Sequence, residues 1–133
     1  KECASVESFI LQHSAQRAID YLVLGVGMNG HLALNEPGTS FDLKAHVTEL
    51  DTITQKVGQK YFSGTASLTG GITLGIADFR EAARTVLMVS GASKADILEK
   101  VLSASAPDEQ LPATALLSFN NASLYCDHEA LKR

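Results

Sequence analysis

Gly25-Val26-Gly27-Met28-Asn29-Gly30-His31, followed at Asn35-Glu36-Pro37 by a carboxylate and a proline corner, holds the residue types in this chain best suited to chemistry. A histidine five residues before a glutamate, on glycine-rich backbone that a small molecule can approach closely, suits acid/base chemistry on a small anion. The stretch follows Tyr21-Leu22-Val23-Leu24, an apolar run that reads as a buried strand, so its polar residues sit where a strand ends. In open α/β sheets that edge is where ligands bind.

Residues 25–30 also match the dinucleotide fingerprint G-x-G-x-x-G, with Glu49 or Asp51 about twenty residues further on. That fingerprint requires a crossover helix opening at the glycines. Pro37 comes only seven residues after Gly30 and biases Glu36 away from helix. Without its helix the glycine pattern is a weak signal for a nicotinamide or flavin.

The whole pattern, G-x-G-x-x-G-H-x-x-x-N-E-P, resembles the signature of the glucosamine-6-phosphate deaminase (isomerase) family. Gly38-Thr39-Ser40-Phe41, Lys60-Tyr61-Phe62, Ile72-Thr73-Leu74-Gly75-Ile76 and Gly91-Ala92-Ser93-Lys94-Ala95 are similar to segments of that family in the same order, so the resemblance spans residues 20–127. The sister 6-phosphogluconolactonases share the glycine turn and histidine but typically continue to Leu-Phe-Pro, so Asn35-Glu36 favours the deaminase branch.

The resemblance implies no organic cofactor or metal, and it implies roles. His31 would open the sugar ring by moving a proton between O5 and bulk, with Glu36 and the residue at Asn29 setting its tautomer and charge. Burial of Glu36 without a partner would disfavour its charged form, so pairing with His31 is the arrangement expected to keep both useful near neutral pH. Asn29 is Asp in some members. An Asn there can orient His31 by hydrogen bonding but cannot stabilise an imidazolium by charge. Gly27 and Gly30 would let substrate approach the backbone. Lys94, after the second strand and beside the start of a helix, is expected to hold the phosphate. Lys60 lies where the family carries an arginine on the same phosphate, keeping the charge without the bidentate fork. His13, His46 and His128 gain no such support. Allosterically activated members carry two basic residues after the corner where this chain has His46 and Thr48, so activation by an acetylated sugar phosphate is not expected.

Family members are longer and begin with further strands and helices that carry one phosphate loop and the acidic enolisation base. Neither is identifiable here, and the first residue is Lys1, so the expectation is a single α/β domain or fragment, 1–133, from the C-terminal part of a longer domain. With 45% hydrophobic residues the chain can bury one core. A formal charge of −4, with basic residues scattered, leaves no electrostatic footprint for nucleic acid or an anionic membrane. No apolar stretch approaches a bilayer span and no signal-peptide pattern is present. Cys3 and Cys126 lack metal-type spacing and read as reduced thiols of a cytoplasmic protein, with a disulfide between the two ends left open.

Periodicity predicts an amphipathic helix over 5–18, a strand at 21–24, an alternating stretch at 46–50 and a helix over 52–62 with Asp51 as N-cap. A turn at Gly70-Gly71 and a short helix over 77–83, with Asp78, Arg80 and Glu81 facing water, come next. A buried strand over 85–89 leads into a helix over 93–102 with Ile97, Leu98, Val101 and Leu102 on its apolar face. A surface loop covers 103–112, residues 113–117 are ambiguous, and a last strand covers 122–126. The alternation implies a three-layer α/β fold, a mostly parallel sheet with helices on both faces in a modified Rossmann-like arrangement.

Three functions fit these residues. The leading one is an aldose-ketose isomerising deaminase acting on a 2-amino-2-deoxyhexose 6-phosphate, of either glucosamine or galactosamine configuration, with the enolisation base outside this chain. The others are a lactonase using His31 to activate water, and a non-catalytic sugar-phosphate sensor. Each takes a small sugar phosphate as partner, and a homo-oligomer stays open.

Overall fold

Thr85-Val86-Leu87-Met88-Val89 is apolar and β-branched, and it forms the central strand of the sheet. The computed structural model describes residues 1–14, 19–50, 52–59, 63, 64, 67 and 69–131. In chain order these form α1 (Glu2–His13), β1 (Leu22–Leu24), β2 (His46–Glu49), α2 (Thr52–Gly58), β3 (Gly70–Thr73), α3 (Ile76–Glu81) and β4 (Thr85–Val89). A 3-10 turn (Ala92–Lys94), α4 (Ala95–Ser103), a 3-10 segment (Pro112–Ser118) and β5 (Ala122–Cys126) complete the order. The sheet runs β1-β4-β5 with every pair parallel, while β2 and β3 form a separate antiparallel ladder. The expected mostly parallel α/β sheet is therefore what the chain forms.

Register decides which side of that sheet is packed. Leu24 lies beside Leu87 and Leu87 beside Leu124, and Val89 is beside Cys126. Leu22, Leu24, Leu87, Val89, Ala122 and Cys126 thus share one face, and all six pack with Ile76, Phe79, Ile97, Leu98 and Val101 from α3 and α4. Phe79, Ile76 and Leu98 are almost fully buried, each contributing about 1.5–3 kcal/mol of transfer free energy. Val23, Met88 and Tyr125 lie on the opposite face and are each more than half exposed.

Several local expectations change. Gly70 and Gly71 do not turn; they open β3 opposite Glu49 and Thr48. Glycine fits there because a Cβ on Gly71 would strike the Leu34 side chain and one on Gly70 would press on the Thr48 carbonyl. Asp78 does not face water. It is fully buried, and its Oδ2 accepts the Gly75 N–H at 2.9 Å across the first turn of α3. Burial pushes its carboxyl above the ordinary value, outweighing the Gly75 hydrogen bond that works the other way. The helix expected over 93–102 begins at Ala95, after the 3-10 turn, and Leu102 is half exposed. α1 occupies residues 2–13 and buries none of its side chains, so its apolar positions have no core to meet among the described residues. Asp51 and residues 60–62 of the second expected helix lie outside the described residues.

Candidate active site

β1 ends at Leu24 against β4, and the chain then folds into a tight loop rather than a helix. Gly27 N donates to the His31 carbonyl at 2.9 Å and Gly30 N to the Gly27 carbonyl at 3.0 Å. Both amides are engaged inside the loop, so neither glycine offers a ligand its N–H, and the room each leaves is taken by a side chain of the protein itself. The reason for glycine differs between them. A Cβ on Gly27 would run into the His31 imidazole, whereas Gly30 adopts φ +88° and lies beneath the Leu111 side chain.

His31 is half-buried with its ring over Gly27. Its Nδ1 lies 2.5 Å from the Ala33 carbonyl, which can only accept, so Nδ1 carries the proton and Nε2 is the nitrogen able to take one. Ala33 reaches that position with φ +52°, a left-handed conformation unusual for a residue with a Cβ.

Glu36 is buried, but its partner is not His31. Its Oε2 accepts from Asn29 Nδ2 at 2.8 Å, and Oε1 has no hydrogen-bond partner. Asn29 turns its Oδ1 to the His31 backbone N–H at 3.1 Å. The expected pairing of Glu36 with His31 is thus replaced by a bridge through Asn29, which holds the backbone of His31 while Ala33 holds its ring. The physical reason is bonding capacity: an amide can donate to a carboxylate and accept from an N–H at once, and a carboxylate at position 29 could only accept.

Lys94 is brought in from the other side. Its Nζ donates to the Val26 carbonyl at 2.7 Å, which draws the ammonium of the β4–α4 connection onto the loop that carries His31. That connection is anchored by Asp127, beyond β5, whose carboxylate accepts the Gly91 N–H at 2.9 Å and the Ala130 N–H at 2.8 Å. Those backbone donors, Ala130 first, hold the Asp127 carboxyl below its ordinary value. Lys60 lies outside the described residues.

The stretch 103–112, expected as a surface loop, and Ala113 just after it clasp the site. Ala113 N donates to the Gly30 carbonyl at 2.9 Å, Gly38 N to the Glu109 carbonyl at 2.8 Å, and Phe41 N to Glu109 Oε1 at 3.1 Å. From β3, Thr73 Oγ1 accepts the Leu34 N–H at 3.2 Å, and Asn35 Nδ2 donates to the carbonyls of Leu32 and Leu74, both at 2.9 Å. Sequence reasoning missed Ala33, Glu109, Thr73 and Asp127. Ala33 acts through a carbonyl that every residue has, so no side-chain signal could have found it; Asp127, immediately after a strand end, carried a faint one.

Among the described residues, no group of three or more His, Cys, Asp or Glu gathers as a metal would need, and no helix is long and apolar enough to cross a membrane. The arrangement provides an imidazole, a buried carboxylate tied to its loop through Asn29 and an ammonium held on the same loop at Val26, at the end of a parallel strand.

Comparison with known proteins bears on this geometry. The glucosamine-6-phosphate deaminases of Halalkalibacterium halodurans and Oceanobacillus iheyensis are 36% and 37% identical to the chain over 99% and 98% of its length. The chain spans about half the length of these curated relatives, 52% and 51%. The solved structure of a monomeric glucosamine-6-phosphate deaminase superposes with a TM-score of 0.86 at 34% identity, covering 98% of this chain and 53% of that one. A 6-phosphogluconolactonase from Trypanosoma brucei shares the fold, with a TM-score of 0.72 at 16% identity over 98% of this chain and 51% of that one. The family described as glucosamine-6-phosphate isomerases/6-phosphogluconolactonase matches residues 1–126, and with that match over nearly the whole sequence the chain belongs to this family.

Proposed function

We propose that the chain carries the ring-opening and phosphate-holding part of an amino-sugar 6-phosphate deaminase/isomerase. Such an enzyme takes a 2-amino-2-deoxyhexose 6-phosphate and water to a ketohexose 6-phosphate and ammonia. The observation that carries the reading is the imidazole of His31, with Nδ1–H committed to the Ala33 carbonyl and Nε2 left to exchange a proton at the sugar ring oxygen. Asn29 and Glu36 hold the loop behind it. Lys94, with Lys60, supplies positive charge for the 6-phosphate. Gly27 makes room for the His31 ring, and Gly30 lets the loop turn back under Leu111.

Proton transfer from C2 to C1 needs a carboxylate over the open-chain substrate. Glu36 is bonded to Asn29, so this reading gives that task to another carboxylate. The relatives at 36–37% identity carry the deaminase name, whereas the solved lactonase speaks to fold alone. A cytoplasmic location belongs to the same reading, as Cys3 and Cys126 stand unbridged.

The test follows ammonia release from glucosamine 6-phosphate and galactosamine 6-phosphate by the full-length protein. Release that disappears in His31→Ala supports the reading and names the epimer. A folded protein that releases ammonia from neither sugar overturns it; acid release from 6-phosphogluconolactone then identifies a lactonase, and tight binding without turnover a sensor.

A further inference from the structure

We propose that Asn35 is a positioning residue that acts through the Ala33 carbonyl to set the His31 tautomer. Its side chain is fully buried beside the loop. Nδ2 donates to the Leu32 carbonyl and across to the Leu74 carbonyl beyond β3, while Oδ1 has no partner. A buried amide with one idle acceptor is a poor device for stability, since an apolar side chain of the same shape leaves nothing unpaired. Neither carbonyl depends on it. Leu32 O also takes the Asn35 backbone N–H at 2.9 Å, and Leu74 O also takes the Thr73 hydroxyl at 3.0 Å.

What the amide does is tie the 32–35 turn to the end of β3. That turn carries Ala33 at φ +52°, a conformation that persists only where surrounding bonds over-determine it. Thr73 adds a second tie by accepting the Leu34 N–H. With both in place the Ala33 carbonyl faces Nδ1, the proton stays on Nδ1, and Nε2 becomes the reactive nitrogen. When the turn relaxes, the carbonyl turns away and Nε2 competes for the proton.

The consequence for turnover rests on the deaminase reading, whereas the tautomer is measured without substrate. The experiment uses full-length protein with 15N-labelled histidine, the His31 ring signals being assigned by their loss in His31→Ala. The parent shows the Nδ1–H form. Asn35→Ala moves the neutral ring at least partly to Nε2–H and lowers kcat roughly tenfold to a hundredfold, with KM changed by less than about threefold. If Asn35→Ala does not fold, Thr73→Val, which removes the other tie on the same turn, shifts the ring signals in the same direction. A parent in the Nε2–H form, or a folded variant that loses thermal stability while its His31 stays Nδ1–H, overturns the proposal. A tautomer shift in Asn35→Ala, beside a folded parent that releases no ammonia, upholds the positioning role and overturns the deaminase reading instead.

Discussion

Adding one methyl group to Gly27 separates a steric role from a conformational one. A Cβ built there lies 2.8 Å from His31 Cγ and closer still to Cδ2 and Nε2, where ordinary contact is 3.4–4 Å. The ring of a Gly27→Ala protein must withdraw by about 1 Å or more, or swing off the Ala33 carbonyl. Misplacing a catalytic group by about 1 Å costs roughly 100-fold, close to 3 kcal/mol of transition-state stabilisation. Gly27 has no positive φ, so alanine adds no backbone strain and the loss of stability is that of local overpacking, about 1–3 kcal/mol. Gly25→Ala is the internal control. Its Cβ meets nothing within 4 Å, so its effect stays within about 0.5 kcal/mol, roughly twofold. The assay is kcat/KM for ammonia release by the full-length protein, with a thermal melt for each variant. Equal damage from the two alanines, or a folded Gly27→Ala protein within about threefold of the parent, refutes the placement of the ring over Gly27.

Lys94→Gln removes the charge and, one bond shorter, draws back from the Val26 carbonyl, and should raise KM for the sugar phosphate by tenfold or more, with a smaller change in kcat; an unchanged KM removes Lys94 from the phosphate site. Asn29→Asp sets two carboxylates where 2.8 Å now separates Asn29 Nδ2 from Glu36 Oε2, so the pair shares a proton and the acid limb of the pH–rate profile moves toward neutral by roughly one unit or more. The same profile as the parent would mean that the bridge is not formed in solution. The fold raises the Asp78 carboxyl above its ordinary 3.8, so the folded state favours the protonated form and its stabilisation is complete below 3.8. It is lost as pH rises through the raised value, with a slope of at most about 1.4 kcal/mol per pH unit. Urea unfolding from pH 4 to 7 should therefore show Asp78→Asn gaining on the parent as pH rises, and a constant difference contradicts the assignment.

The residues themselves determined the strands at 22–24, 85–89 and 122–126, because apolar and β-branched runs bounded by glycine and polar residues have few other ways to hide. They also determined which loop bears the chemistry, since glycine, histidine and glutamate at that spacing place polar groups on close backbone at a strand end. Pro37 argued against the crossover helix a dinucleotide site requires. Who bonds to whom was decided by tertiary structure. Glu36 meets Asn29 and the His31 ring meets a carbonyl because the loop closes on itself before either side chain can reach the other. Asp78 is buried because α3 is six residues long and its first turn docks under Leu43, which accepts the Ala77 N–H. Gly70 and Gly71 extend rather than turn because β2 supplies a ladder that no local pattern announces. Periodicity reports the burial of a side chain relative to its own element. Hydrogen bonds to carbonyls from segments 39 or 68 residues away, as at Asn35 and Lys94, depend on chain geometry that only the folded molecule supplies.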